Sequence, residues 1–173
     1  FYSRENRDFI HYQASSFDCH SLSHNLVNCV YEDLSGVIWL ATRNGINKYS
    51  RKRTGFVHYV KNYHQDSDKS LPDNDITLIY EDNDENIWVG TTKGLVLFKE
   101  KEEEFISITK YYPKLMKIKN EIIMSFMEDR DGYYWIGTIQ GLYQVNKNSG
   151  NYTYYSQNEG EYFTLSNNGI VSL

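Results

Sequence analysis

Residues 32–45 read EDLSGVIWLATRNG: a Glu-Asp pair, a turn, a Trp inside an apolar run, and a Thr three places before a Gly. The phrase returns as EDNDENIWVGTTKG at 81–94 and as EDRDGYYWIGTIQG at 128–141. Trp39, Trp88 and Trp135 stand 49 and 47 residues apart, and the register reaches well beyond them. Upstream, LSHNLVNCVYED (22–33) aligns with LPDNDITLIYED (71–82) and IKNEIIMSFMED (118–129), and LSNNGIVSL (165–173) opens a further copy. Downstream, FVHY (56–59) aligns with FISI (105–108) and YTYY (152–155), and FIHY (9–12) is one more, 47 residues before the first of these. A fixed period is the mark of a repeat architecture and takes precedence over the reading of any single element.

Within one period the residues spell four short strands. Ile76, Leu78 and Tyr80 alternate as a strand does, and an acidic turn, the Trp strand, T-x-x-G, a third strand near 95–98, a polar turn and a fourth strand follow. Four strands in a period of about 40–50 residues describe a β-propeller blade, whereas leucine-rich or ankyrin repeats are shorter and carry helical spacing. The expected fold class is therefore all-β: four-stranded antiparallel propeller blades of about 47–49 residues, forming part of a propeller as a single segment over 1–173. Its boundaries read as the end of a preceding blade at 1–12, blades at 22–60, 71–109 and 118–156, and the first strand of a further blade at 165–173. This partial count suggests a fragment of a larger ring, with closure by a second copy as the alternative, since open sheet edges invite pairing.

The repeated phrase has structural roles to fill. Trp39, Trp88 and Trp135 can fill the wedge between neighbouring blades. Gly45, Gly94 and Gly141 suit a turn that needs positive φ, and the Thr of T-x-x-G can bond the turn backbone. Asp33, Asp82 and Asp129 can accept the N–H groups of the first hairpin turn.

Composition agrees. The chain of 173 residues and 20.4 kDa is 40% hydrophobic and 24% charged, which is globular, and its sixteen Tyr and eight Phe against two Pro favour strands. A net charge of −5 gives no broad basic field, so no nucleic-acid partner is expected. No apolar run approaches the roughly 20 residues of a membrane span, and FYSRENRDFI has neither the apolar core nor the cleavage site of a signal peptide. Two cysteines, Cys19 and Cys29, make no disulfide framework, and their pairing stays open. The acidic turns lack the closing Glu of a calcium loop, having Lys93 and Gln140 there, and no H-E-x-x-H, G-x-S-x-G or phosphate loop occurs. No catalytic residue, metal or cofactor is expected.

The order L-x-x-N, a strand ending E-D, then G-x-x-W-x-G-T-x-x-G resembles the two-component regulator propeller repeat. Departures are Ala41 for the Gly of W-x-G-T, Glu85-Asn86 at a turn Gly, and an Asn displaced to Asn120 in the third copy. The resemblance implies the periplasmic sensor region of a hybrid histidine kinase of the Bacteroidetes type, a repeat protein of signal transduction that detects polysaccharide breakdown products. It further implies that membrane span and kinase lie in other parts of the parent protein, and that this segment is not itself an enzyme.

In a four-stranded meander the T-x-x-G turns and the links between blades fall at one end, which makes that end the expected ligand face. It would carry Arg43, Asn44, Lys93 and Gln140 from the turns, and Tyr63, His64, Tyr111, Tyr112 and Tyr162 from the links. Tyrosines beside amides and cations suit an oligosaccharide, because rings stack on sugar faces while polar groups address hydroxyls, and lysines suit acidic sugars. The same tyrosines can equally pack on loop backbone. Two rival readings are a propeller enzyme, either like the streptogramin lyases or a glycan lyase, and a protein-interaction propeller. An enzyme would gather His or carboxylates near the axis, where Asn25, Asn74, Asn120 and Asn168 are expected instead.

Overall fold

The computed structural model describes residues 2–3, 8–49, 55–63, 69–157 and 165–173. Alternating apolar residues between tight turns can only be paired with their sequence neighbours, and three antiparallel sheets result, each with its strands in chain order. The first is β3 (Val27–Glu32), β4 (Ile38–Thr42), β5 (Gly45–Tyr49) and β6 (Phe56–Tyr59). The second is β7 (Ile76–Glu81), β8 (Ile87–Thr91), β9 (Gly94–Lys99) and β10 (Glu104–Ser107). The third is β11 (Ile123–Glu128), β12 (Tyr133–Thr138), β13 (Leu142–Asn146) and β14 (Tyr152–Tyr155). A short ladder of β1 (Tyr2–Ser3) and β2 (Asp8–Phe9) precedes them, and its Tyr2↔Phe9 pairing repeats Tyr49↔Phe56 of β5 and β6. These are the blades of a partial β-propeller, with β3, β7 and β11 packed against one another as its inner strands.

Both faces of the middle blade are covered, so its central strands β8 and β9 are buried almost throughout rather than alternating. Ile79, Ile87, Val89, Val96, Phe98 and Phe105 pack with Trp39, Ala41 and Ile46 of the first blade. Leu78, Trp88, Leu95 and Leu97 pack with Phe126, Tyr134, Ile136, Tyr143 and Val145 of the third. Trp39 and Trp88 thus each enter the gap toward the following blade. Trp39 and Trp88 are 2% and 3% exposed, while Trp135, on the far face of the third blade, is half-buried and stacked on Tyr155.

Three local features depart from the sequence reading. The first strands of the second and third blades do not alternate over their whole length: a bulge between Ile76 and Leu78 re-phases the ladder, so that Ile76, Leu78 and Ile79 are the buried residues, and the shift recurs at Ile123/Ser125; β3 has the same bulge at Val27/Cys29 but keeps its alternation. The link after the second blade is helical, with α1 (Ile108–Tyr111) followed by a 3-10 stretch over Pro113–Asn120, started by Ser107 Oγ accepting Thr109 N–H and by Pro113. Leu115 and Ile118 on this stretch are fully buried between the second and third blades. Residues 165–173 form no ladder; Ile170 docks on the third blade by donating its N–H to Thr138 O (3.1 Å) and accepting from Ser125 Oγ (3.0 Å).

Candidate functional site

Topology separates two ends. The acidic turns and the third hairpin connections lie at one; the T-x-x-G turns and the entries to the inner strands lie at the other.

At the acidic end the carboxylates are consumed by structure. Asp33 Oδ1 accepts the N–H groups of Ser35 (3.0 Å) and Val37 (2.9 Å), and Oδ2 accepts Trp39 Nε1–H (2.7 Å). Asp82 and Asp129 repeat the arrangement with Trp88 (2.9 Å) and Trp135 (2.7 Å). Asp82 also accepts the hydroxyl of Tyr134 from the next blade (2.8 Å). Burial of Asp82 opposes its charge, but the bonds from Trp88, the Asn86 N–H and Tyr134 outweigh it and hold the carboxyl below its ordinary pKa. Burial and this same carboxylate push the Tyr134 hydroxyl far up. The preceding Glu reaches the neighbouring blade. Glu81 Oε2 accepts Leu34 N–H (3.1 Å) in the turn of the blade before it, and Glu128 Oε2 accepts Asn83 N–H (2.9 Å). In the Glu-Asp pair, therefore, Glu ties blade to blade and Asp ties turn to Trp. Lys147 Nζ adds bonds to Asp84 (2.7 Å) and Glu128 (2.8 Å).

The T-x-x-G end is built by Thr and Gly. Thr42 Oγ1–H donates to Gly45 O (2.8 Å) while accepting Asn44 N–H (3.1 Å), and Thr91 and Thr138 do the same with Gly94 and Gly141. At Gly45 φ is +93°, and a Cβ there would stand 2.3 Å from Tyr59 O. Both the dihedral and the close approach exclude a side chain.

The Asn of L-x-x-N is a clamp. Asn25 Oδ1 accepts Ala14 N–H (2.7 Å), Asn74 Oδ1 accepts Lys61 N–H (2.6 Å), and Asn168 Oδ1 accepts Gln157 N–H. Each donor is the second residue after FIHY, FVHY or YTYY, so the Asn fixes the chain as it leaves one blade for the next. In the third copy, where the Asn is displaced to Asn120, the place two before the buried Ile123 is taken by Glu121. Glu121 Oε1 accepts the Tyr143 hydroxyl (2.8 Å), and its buried Oε2 has no protein partner.

The links do not stay at the T-x-x-G end. Two of them descend along the outer strand of a blade: Phe56 N–H donates to His20 O (2.8 Å) and Phe105 N–H to Lys69 O (3.4 Å). The helical link reaches the third blade's outer hairpin. The Tyr112 hydroxyl donates to Lys147 O (2.9 Å), Lys114 Nζ reaches Asn151 (2.5 Å), and Tyr111 lies under Lys99 Nζ at 5.7 Å. Tyr111 and Tyr112 therefore sit toward the acidic end and do not share a face with the T-x-x-G turns, because burial of Leu115 and Ile118 pulls their segment down between blades.

Of the remaining candidates, the structure brings Tyr63 and Lys93 to one cleft of about 310 Å³ at the T-x-x-G end of the middle blade. Lys61, Asn62, Lys119 and Asn120 complete its polar wall, and Leu71, Leu95 and Val96 form its floor. Tyr63 is 78% exposed and lies beneath Lys61 Nζ (5.4 Å), which also donates to Pro72 O (2.8 Å). Lys93 Nζ pairs with Asp73 (3.1 Å) and is largely solvent-facing. Asn44 borders a separate depression over the first blade, Arg43 is exposed beside it, and Gln140 is exposed on the third blade with its carbonyl accepting the Tyr154 hydroxyl (2.7 Å). His64 and Tyr162 lie outside the described residues. Sequence reasoning missed Lys61 and Lys119, and no local signal marked them: Lys61 is set beside the cleft by the bond of its N–H to Asn74, 13 residues on.

Comparison with known proteins agrees with this architecture. Residues 70–93 and 117–140 match the model of the two-component regulator propeller. The extracellular domain of a protein assigned as a hybrid two-component system, BT4673 from B. thetaiotaomicron, is similar over 99% of this chain and 21% of its own, with a TM-score of 0.74 at 19% identity. That of BT3049 from the same organism is similar over 98% of this chain and 27% of its own, with a TM-score of 0.51 at 23% identity. Virginiamycin B lyase from Staphylococcus aureus shares the fold over 78% of this chain and 42% of its own, with a TM-score of 0.54 at 15% identity. The chain thus spans about a fifth of the BT4673 domain. No curated protein matches it by sequence. Among the described residues, no helix is long and apolar enough to cross a membrane.

Proposed function

From a chain whose residues 70–93 and 117–140 are two-component regulator propeller repeats, we propose a ligand-binding segment of an extracytoplasmic sensor, in the periplasm, that signals to a histidine kinase in another part of the parent protein. The ligand is an oligosaccharide, taken by the cleft of Tyr63 and Lys93. The observation that carries this reading is the composition of that cleft: an exposed tyrosine ring for a sugar face, two asparagines for hydroxyls, and lysines at its wall for a carboxylate or sulfate. The lyase reading finds less support, because Asn25, Asn74 and Asn168 are engaged in holding the links, and Glu121, the one carboxylate at an equivalent place among the described residues, is buried and bound to the Tyr143 hydroxyl.

A ligand that binds only the folded state raises its melting temperature by mass action. A thermal-shift screen of the purified protein against neutral and acidic oligosaccharides is expected to give a shift with one glycan class. Tyr63→Ala and Lys93→Ala are each expected to weaken that binding about tenfold, or about 1.4 kcal/mol. Absence of any glycan shift, with capture of a protein partner instead, would overturn the oligosaccharide reading and leave an interaction propeller.

A further inference from the structure

We propose that Asp18, Cys19 and His20 form a binding site for a thiophilic divalent metal ion, with Zn²⁺ the ion their donor set fits. Among the described residues they are the one group of three His, Cys or acidic side chains whose ligand atoms all fall within 4.8 Å of one another. Cys19 Sγ stands 3.4 Å from His20 Nδ1, and Asp18 Oδ1 stands 3.8 Å from the same nitrogen. Zinc bonds of about 2.3 Å to sulfur and about 2.0–2.1 Å to nitrogen or oxygen, at tetrahedral angles, place such donors roughly 3.3–3.6 Å apart. The two pairs that share His20 Nδ1 are therefore close to the edges of a coordination tetrahedron before any ion arrives, and the third pair, Asp18 with Cys19, lies within 4.8 Å. A carboxylate and a thiolate neutralise a dication, a neutral imidazole completes the protein donors, and the fourth position falls to water. Binding releases the Cys19 thiol proton to solvent.

The backbone that presents these donors is held in place. His20 N–H donates to Asp18 Oδ1 (2.9 Å), Ser21 N–H to Asp18 O (3.1 Å), and Phe56 N–H to His20 O (2.8 Å). The link also runs so close to the outer hairpin that a Cβ on Gly55 would stand 2.5 Å from His20 Cβ. The side chains of Asp18 and His20 are 60% and 66% exposed, which leaves an ion free access. His24, four residues on, is not a donor here, since its Nδ1 accepts Leu26 N–H (3.0 Å). The expectation of no metal site came from ligands spaced along helices; here three consecutive residues of a link supply them.

The test is titration of the reduced protein with Co²⁺ as a spectroscopic probe, followed by displacement with Zn²⁺. A single-site sulfur-to-cobalt charge-transfer absorption, removed by Zn²⁺, is expected. Cys19→Ser is expected to abolish that absorption, and His20→Ala to weaken Zn²⁺ binding at least tenfold. His24→Ala should leave both unchanged. Cys19 is exposed, so the metal-free melting temperature of Cys19→Ser should equal that of the parent protein and separate metal loss from misfolding. Absence of the absorption in the parent protein, or Zn²⁺ affinity unaltered by Cys19→Ser and His20→Ala, would overturn the proposal.

Discussion

Asp82 accepts bonds from its own turn, from Trp88 and from Tyr134 of the next blade, so one carboxylate joins a hairpin, a core ring and an interface. Asp82→Asn places an amide N–H₂ against those donors. It is expected to cost about 1.5–3 kcal/mol, read from the urea midpoint at unchanged m-value. Asp129→Asn should cost less, because Trp135 is half-buried and no second tyrosine reaches Asp129 among the described residues. The turn role of these aspartates was legible, being a contact over two to four residues; the bond to Trp was not, since it exists only once the hairpin closes. A pH dependence follows. Desolvation raises the pKa values of Asp33 and Asp82, but hydrogen bonds outweigh it, and the bond from Trp135 leads the same lowering at Asp129, so all three lie below their ordinary values in the folded chain. The stability they contribute is fully present above the unfolded carboxyl pKa of about 3.9 and is lost as pH falls through the lower folded values. Thermal melts should therefore show stability falling below about pH 4, with a shallower acid limb in Asp82→Asn.

At the scale of the strand, the departure of Ala41 from the W-x-G-T pattern has a partner. Gly90 faces Leu78 so closely that a Cβ would stand 2.7 Å from Leu78 Cγ and 3.1 Å from Ile123 Cγ2. In the first blade Ala41 faces the smaller Cys29, and the methyl fits with Ala41 fully buried. Gly90→Ala is accordingly expected to cost about 1–3 kcal/mol by overpacking. Adding Leu78→Cys should recover part of it, with a coupling of at least about 0.5 kcal/mol in a double-mutant cycle by chemical denaturation. Additive effects would show that the two positions do not share the space. The bulges of β3, β7 and β11 belong to this scale as well. Nothing in VNCVYE or ITLIYE marks them: the same bulge occurs in β7, which is buried on both faces, and in β3, one face of which is exposed.

For the whole molecule, the decisive matter is how chain passes between blades. Asn25, Asn74 and Asn168 each hold the chain where it leaves a blade, and the links before the first and second blades then drop along the outer strands β6 and β10. The helical link carries Tyr111 and Tyr112 away from the T-x-x-G end and leaves Tyr63 and Lys93 there beside Lys61 and Lys119. If the cleft takes an acidic sugar, affinity should fall with added salt as exposed ion pairs are screened, whereas a neutral glycan would show little salt dependence.

By itself the sequence determined the period, the four strands of each blade, the division of turns between two ends and the duties of Trp, Thr, Gly and Asp. All of these rest on side-chain alternation or on bonds spanning a few residues, and such forces are written in consecutive positions. Only the tertiary structure decided the bulges, the Asn clamps, the descent of the links and which candidates meet in one cleft. Those depend on Leu115 and Ile118 being buried between two blades, and on contacts such as Glu81 to Leu34 and Tyr134 to Asp82 across about one repeat of chain. Residues that far apart along the chain meet only when the blades pack.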